Sequence, residues 1–468
     1  MQTIEIFPSQ LSGIVTIAPS KSMMQRVCAA ALLHHGTTII HHPGKSNDDL
    51  AALEIIQQLG ATVIEHKHHL EINSKGIKPI SSTINCGESG LSARMFASII
   101  ALHDEKIDLV GQGSLLKRPL TWFHEVFPQL NVSIKSNNNY LPLTIQGKLQ
   151  PNNIEVDGSI SSQYLTGLLM AYSYSIENNN SLKEGETFTI KVNQLNSKPY
   201  IDLTLNVMRN FGMIVPENSN YEKFIFHNSS QPINQSTNQL INQSTNQPIN
   251  QSTNQPINQS TNQPINKSTN QPLNYQIEGD WSGAAFFLVA AAIHGNITVK
   301  GLQPHSLQAD NKIIEVLQNA GSTFKFENGD YIFSESNELN AFEFDATDCP
   351  DLFPPLVALA CFCSGTSNIK GIHRLTHKES NRASSLQSEF RKMGVEIILE
   401  DDIMLIHPPK TIKTAMVHSH HDHRIAMAAA IVASKAENKI SIEQADAVNK
   451  SYPSFYKDLM DLKAAFIK

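Results

Sequence analysis

The sequence predicts an α/β protein of two domains, each built from three copies of one unit of strands plus two helices. Three observations carry this. The chain has 468 residues, more than a single ordinary hydrophobic core organises. Six apolar helical runs each open on a short polar head and recur about every 70 residues, with one longer gap. Between them, amphipathic helices run into a glycine or small turn and then a strand.

The heads and apolar runs, in order, are PSKS before MMQRVCAAALL, CGESG before LSARMFASIIAL, GSISSQ before YLTGLLMAYSYS, EGDWSG before AAFFLVAAAI, CPD before LFPPLVALACFC, and HDHR before IAMAAAIVAS. Lys21, Gly90, Ser161, Asp280, Asp351 and Arg424 mark the heads. Helices apolar nearly all round belong in the middle of a domain. The second series comprises EIIQQLGATVI, EVFPQLNVSI, LNVMRNFGMIV, EVLQNAGSTFKF and EFRKMGVEIIL. The C-terminal YKDLMDLKAAFIK supplies a sixth helix without its strand, and the N-terminal strand is expected to complete that copy.

The longer gap holds a different kind of sequence. Residues 231–270 repeat the octamer QPINQSTN five times with small changes, and Gln271 to Asn274 begin a sixth copy. The repeat has no aromatic residue and a single charge, Lys267. Such a tract buries too little apolar surface to offset ordering, and its prolines oppose helix and sheet. Residues 229–274 are therefore expected to be a disordered insertion. The expected domains are residues 1–20 with 275–468, and residues 21–228. The chain is expected to cross between them near Pro19 to Lys21, and again between the repeat and Glu278.

Composition narrows the function. A formal net charge of −7 gives no nucleic-acid footprint. No run reaches the roughly 18 apolar residues of a membrane span, and the N-terminus alternates like a strand, not a signal peptide. The five cysteines make no metal or redox pattern, since Cys361-Phe-Cys363 lacks the two-residue spacer. A cytoplasmic monomer with reduced thiols is expected.

The heads carry an electrostatic signal. Serine, aspartate and glycine there suit plain helix N-caps. Lys21, Arg26, Arg94 and Arg424 do not, because cations are unfavourable in a first helical turn. If the helices point one way within each domain, their free N–H groups and these cations focus positive potential on one region. That suits a ligand with several negative charges.

The motifs PSKSMMQR, SNDDL, LKRPL, DGSISSQYLT, NSKPYIDLT, EGDWSGAAFFL, CPDLFPPL, HKESNR, HDHRIAM and NKSYPSF follow one another in that order. In them the chain resembles the 5-enolpyruvylshikimate-3-phosphate synthase family along nearly its whole length outside residues 229–274. The resemblance implies a two-domain inside-out α/β barrel, each domain made of three βαβαββ units. It implies transfer of the enolpyruvyl group of phosphoenolpyruvate to the 5-hydroxyl of shikimate 3-phosphate, without metal or cofactor. It places Lys21, Ser22, Arg26, Ser161, Ser162, Gln163, Ser197, Tyr200, Asp351, Arg374 and Lys378 on shikimate 3-phosphate. Lys21, Gly90, Arg118, Gln163, Arg382, Arg424 and Lys450 fall on phosphoenolpyruvate. Asp351, Glu379 and Lys21 are the candidates for proton transfer, and Arg94, Glu88 and His423 are possible further site residues without an assigned role. Dianionic phosphates and carboxylates call for such hydroxyl, amide and guanidinium donors.

Asp48 and Asp49 in SNDDL are expected to hydrogen-bond around Arg118 or the cleft edge. His418, His420 and His421 are expected to be loop residues, with His423 part of its helix head and no metal bound. The chain departs from the family at the glycine-rich loop, usually GNAGTAMR. Here Gly87 to Arg94 spell GESGLSAR, so Glu88 replaces the usual asparagine and Leu91 the usual threonine. A carboxylate there must turn away from an anionic substrate or pair with a cation such as Arg118, and Leu91 could disturb the helix start. Arg374 stands where asparagine is frequent. Two alternatives follow: the related transferase acting on UDP-N-acetylglucosamine, and a catalytically weakened homologue. The first fits poorly at SKS, SSQ and SKPY.

Overall fold

Each polar head becomes a helix start in the computed structural model, which describes residues 2–228, 271–336, 338–376 and 378–467. The six central helices are α1 (Lys21–Leu33), α3 (Gly90–Ile100), α5 (Ser162–Glu177), α7 (Trp281–His294), α9 (Phe353–Ala360) and α11 (His423–Ala433). Between them lie α2 (Asn47–Gln58), α4 (Thr121–Val126), α6 (Lys198–Asn210), α8 (Ile313–Asn319), α10 (Arg382–Lys392) and α12 (Phe455–Asp461). Ser20, Ser89, Ser161, Asp280 and Asp422 cap α1, α3, α5, α7 and α11 by accepting a backbone N–H of the first turn. Helix α9 instead continues a 3-10 turn at Pro350–Leu352, and Pro354 and Pro355 in its first turn have no N–H to cap.

Every unit closes its sheet the same way. In the unit of α3 and α4, strand Thr83–Asn85 runs parallel to Ile107–Val110. The latter pairs antiparallel with Tyr140–Gln146, which leaves Ser133–Asn137 at the edge. The described residues contain six four-stranded sheets of this order. In four of the units the parallel pair is joined by a helical crossover, which the apolar run of the central helix supplies. The central helices of each half pack on one another, α3 and α5 most intimately. A Cβ at Gly167 of α5 would run into the Met95 carbonyl, so glycine is what allows that approach.

Two hydrophobic cores result. One unites Ile4 to Ile17 with Trp281 onward, and the other runs from Met23 to Ile277. The lobes share their connections by exchange. Strand Gly13–Thr16 pairs parallel with Ile297–Lys300, completing the unit of α7, although the chain continues into α1. Strand Leu273–Gln276 pairs parallel with Gly36–His41, completing the unit of α1, although the chain continues into α7. The two paths cross where Pro19 bridges Gly279, and buried Gln308 bonds both sides, to Ser20 Oγ and the Gly279 carbonyl.

Two expectations are corrected. Leu273 and Asn274 are strand, not part of a disordered insertion, and the lobe boundary lies at Glu278 to Asp280 in place of 275. The reason is alternation: Leu273, Tyr275 and Ile277 all point into the second core. The expected disorder of residues 229–270 lies outside the described residues. The last unit also has its own third strand, Ala465–Ile467, paired with Ile4–Phe7; that N-terminal strand in turn pairs with Ile440–Glu443 and so ties the chain ends together as expected.

The strands on either side of the octamer repeat, Lys223–His227 and Leu273–Gln276, belong to the same lobe. Deleting residues 231–270 shortens a connection whose closure entropy changes only as the logarithm of its length. The expected outcome is activity within about threefold of the full chain. A larger loss in the deletion variant, measured beside the full chain, would assign the repeat a role in the expected transfer reaction.

Candidate active site

All six helix heads line one cavity of about 310 Å³ between the lobes. Lys21 and Ser22 come from α1, Gly90 and Leu91 from α3, Ser161, Ser162 and Gln163 from α5, Asp280 and Ser282 from α7, Asp351 from the turn before α9, and Arg424 from α11. The convergence of N-termini inferred from the sequence is thus present, with cations set among them.

A buried ion network forms the floor on the α9–α11 side. Asp351 meets Arg382 at 2.9 Å, Arg424 at 3.0 Å and Lys378 at 3.2 Å. Glu379 meets Arg382 at 2.6 Å, Arg118 at 3.7 Å and Lys450 at 3.9 Å. Arg382 is 0% exposed and also forks onto Asp422, at 2.9 and 3.2 Å. Burial would raise the Asp351 carboxyl, but Arg424, Lys378 and Arg382 more than offset it and hold it well below the usual range. Glu379 is likewise held down against burial by Arg118, Arg382 and Lys450. Burial favours neutral Lys21, yet Asp48, 2.9 Å from its Nζ, raises it overall. Lys378 goes the other way, lowered by burial despite Asp351.

The opposite wall carries hydroxyls and amides. Ser161, Ser162, Gln163, Ser197 and Tyr200 line it together. Gln163 accepts a bond from Arg94 at 2.8 Å, and Arg94 lies over the Tyr164 ring at 5.3 Å. Several contacts cross between the lobes. Arg374 donates to the Ser159 carbonyl at 3.0 Å and to Ser197 Oγ at 2.8 Å. The Ser197 N–H, held in the left-handed region at φ 59°, donates to Asp348 at 2.7 Å. Tyr200 reaches Asp310 at 3.5 Å.

Not every expected residue stands on the surface of the cavity. Lys21, Ser22, Arg118, Arg374, Lys378, Glu379 and Arg424 do. Arg26 edges it but is 1% exposed, and its donors go to Thr204, the Ser22 carbonyl, Thr166 and the Tyr200 carbonyl; burial pushes it down to about 10. It braces α1 against α5 and α6. Arg382, Lys450, Glu88 and His423 do not line the cavity, although Lys450 Nζ reaches to 3.9 Å from Glu379, which does. His423 Nε2 contacts Arg424 at 2.9 Å, and burial pushes its imidazole well below the usual range.

Of the two places expected for Asp48 and Asp49, the structure gives the cleft edge: Asp48 lines the cavity and pairs with Lys21, Asp49 forms a capping box with Ser46, and neither serves Arg118. Glu88 pairs with Lys450 at 3.8 Å, not with Arg118. Leu91 does not disturb its helix, because Ser89 caps α3 with a bond from the Ser92 N–H. His418 ends a strand, and His420 bonds Glu389 at 2.9 Å. The five cysteines are buried and unpaired, and burial pushes their thiols up. Among the described residues, no helix is long and apolar enough to cross a membrane.

Sequence reasoning missed three carboxylates that arrange this site. Asp422 sits inside HDHR, where it was visible as a motif member. Asp310 and Asp348 stand in no motif, and only the lobe contact brings them to Tyr200 and Ser197.

The same two-lobed architecture is found in EPSP synthase from Acinetobacter baumannii, with a TM-score of 0.74 at 21% identity over all of both chains. The enolpyruvyl transferase NikO from Streptomyces tendae follows at 0.70 and 13%, covering 99% of this chain and 98% of its own. These define the class of the fold. The EPSP synthase (3-phosphoshikimate 1-carboxyvinyltransferase) family profile matches residues 7–241 and 220–459. The 3-phosphoshikimate 1-carboxyvinyltransferase of Clostridium novyi is 32% identical over 98% of this chain and 97% of its own, and that of Clostridium beijerinckii 33% over 100% and 98%. The chain belongs to the EPSP synthase family.

Proposed function

We propose that the cavity holds shikimate 3-phosphate and phosphoenolpyruvate together and transfers the enolpyruvyl group to the 5-hydroxyl, releasing phosphate. The observation that carries this is the convergence of six helix N-termini and a set of cations on one cavity that the Asp351 and Glu379 carboxylates also line. Shikimate 3-phosphate lies against Ser161, Ser162, Gln163, Ser197 and Tyr200, with Lys21, Ser22 and Arg374 around it. Phosphoenolpyruvate lies toward Arg118, Arg424 and Lys450, with Arg382 behind. Arg26 acts by bracing α1.

The 5-hydroxyl adds to C2 of phosphoenolpyruvate while C3 gains a proton, giving a tetrahedral intermediate. The C2–phosphate oxygen bond then breaks as C3 loses a proton. Asp351 accepts the hydroxyl proton, and Lys21 and Glu379 serve C3. Raised Lys21 is protonated at neutral pH and so can donate. As Arg424 and Lys378 turn to the substrate anions, Asp351 loses part of what holds it down and becomes a better base. The weakened-homologue reading loses its main support, since Glu88 faces away from the cavity. We infer a cytoplasmic monomer; its unpaired buried thiols and a site lined by one chain support that reading.

The test is phosphate release from purified protein. Release that requires both substrates supports the reading. Release with UDP-N-acetylglucosamine in place of shikimate 3-phosphate, or none at all, defeats it. Gly90 supplies a finer check. A Cβ there would lie 2.8 Å from Arg118 Nη1 and 3.1 Å from Arg94 Nη1. Gly90→Ala is expected to raise KM for phosphoenolpyruvate about tenfold, ~1.4 kcal/mol, by displacing guanidinium ends while the backbone holds. KM for shikimate 3-phosphate, measured in the same assay, is expected to change far less.

A further inference from the structure

We propose that Glu88 is a positioning residue for the transfer reaction, holding Lys450 from behind as the counter-charge opposite Glu379. This rests on the function proposed above and assigns a task to the residue that departs most from the family loop.

Lys450 is the last residue of a 3-10 turn (Ala445–Lys450) in the first lobe, and Glu88 lies in the loop before α3 in the second. Lys450 Nζ is buried and has no hydrogen-bond partner among the described residues. It sits between two carboxylates, 3.8 Å from Glu88 Oε2 and 3.9 Å from Glu379 Oε1. Both distances exceed a hydrogen bond, so the ammonium is held by charge while its donors stay uncommitted. An ammonium in that condition is ready to donate to an incoming anion.

The two carboxylates lie on opposite sides of a partition. Glu379 lines the main cavity, while Glu88 and Lys450 line a second one of about 410 Å³ behind it. Glu88 is fixed in that direction. The Ser114 N–H points at its Oε2 from 3.5 Å, and its carboxylate rests on Gly113, where a Cβ would collide with it. Gly113 has φ +58°, so glycine fits both the backbone and the space.

Without the rear carboxylate, Lys450 has Glu379 alone as its counter-charge. The lysine then moves toward Glu379 and away from the anion it is to bind. Glu379 in turn is drawn from Arg118 and Arg382. The loss falls on phosphoenolpyruvate more than on shikimate 3-phosphate, whose wall is on the other side.

The experiment compares wild type, Glu88→Gln, Lys450→Met and the double variant by phosphate release. Initial slopes at saturating shikimate 3-phosphate give kcat/KM for phosphoenolpyruvate even in slow variants. Glu88→Gln is expected to lower that value about tenfold and to leave KM for shikimate 3-phosphate within about twofold. In the Lys450→Met background the same change is expected to have less than about a twofold effect, because the group it acts through is gone. Glu88→Asp, which keeps the charge, is expected to recover part of the loss. An unaffected Glu88→Gln enzyme, or an equal loss with and without Lys450, overturns the role of Glu88 while leaving the function standing. No release from wild type overturns the function itself, and this inference with it.

Discussion

Asp351→Ala is expected to lower kcat by about 10²- to 10⁴-fold, the range lost when a positioned general base is removed. The carboxylate lies where α9, α10 and α11 meet, touching Lys378, Arg382 and Arg424 at once. Its loss removes the acceptor for the hydroxyl proton and leaves three cations less compensated. Both substrates are anions, so their binding is expected to survive or tighten. Turnover and affinity therefore move in different directions. Phosphate release gives the first quantity, and calorimetric titration with shikimate 3-phosphate gives the second. A parallel loss of binding would make Asp351 a structural member of the network.

Arg382→Met is expected to cost about 3–5 kcal/mol of stability, the usual cost of removing one member of a buried ion network. Arg382 is 0% exposed and binds Asp422, Glu379 and Asp351 together. Methionine fills much of the volume but pairs none of them. The deficit depends on pH in a definite sense. Asp351 and Glu379 are depressed in the folded protein, so their contribution is present above the unfolded value of about 4 and lost as pH falls through the folded values. The gap between variant and wild type is therefore expected to be widest near neutrality and to narrow in acid. Urea midpoints at pH 7 and well below pH 4, where the folded carboxylates take up protons, measure it. A gap of equal size at both would show that packing, not charge, holds Arg382.

Much of this molecule is legible in the chain because its signals are local. Six apolar runs without a polar face had to be central helices. The Ser and Asp residues before them had to be caps. The order of the short motifs carried the family, and with it the residues that meet at the cavity. Harder to see was the character of each contact. Arg26 carries a cation in a motif, yet its donors are spent on Thr204, Thr166 and two carbonyls. From the sequence Asp48 is expected around Arg118 or at the cleft edge, and only the structure shows that it takes the cleft edge and pairs with Lys21. The octamer pattern continues into Leu273 and Asn274, where the alternation with Tyr275 already belongs to a strand.

The sequence by itself determined the repeat, the two-lobed α/β class, the family and the chemical kinds of group at the site. Those depend on periodicity, capping and motif order, which neighbouring residues settle among themselves. Only the tertiary structure decided where the lobes exchange strands, that Asp310 and Asp348 reach across to Tyr200 and Ser197, and that Glu88 turns to Lys450. Each of these joins residues far apart in the chain. Their geometry follows from how two separately packed cores meet, and no local pattern encodes that.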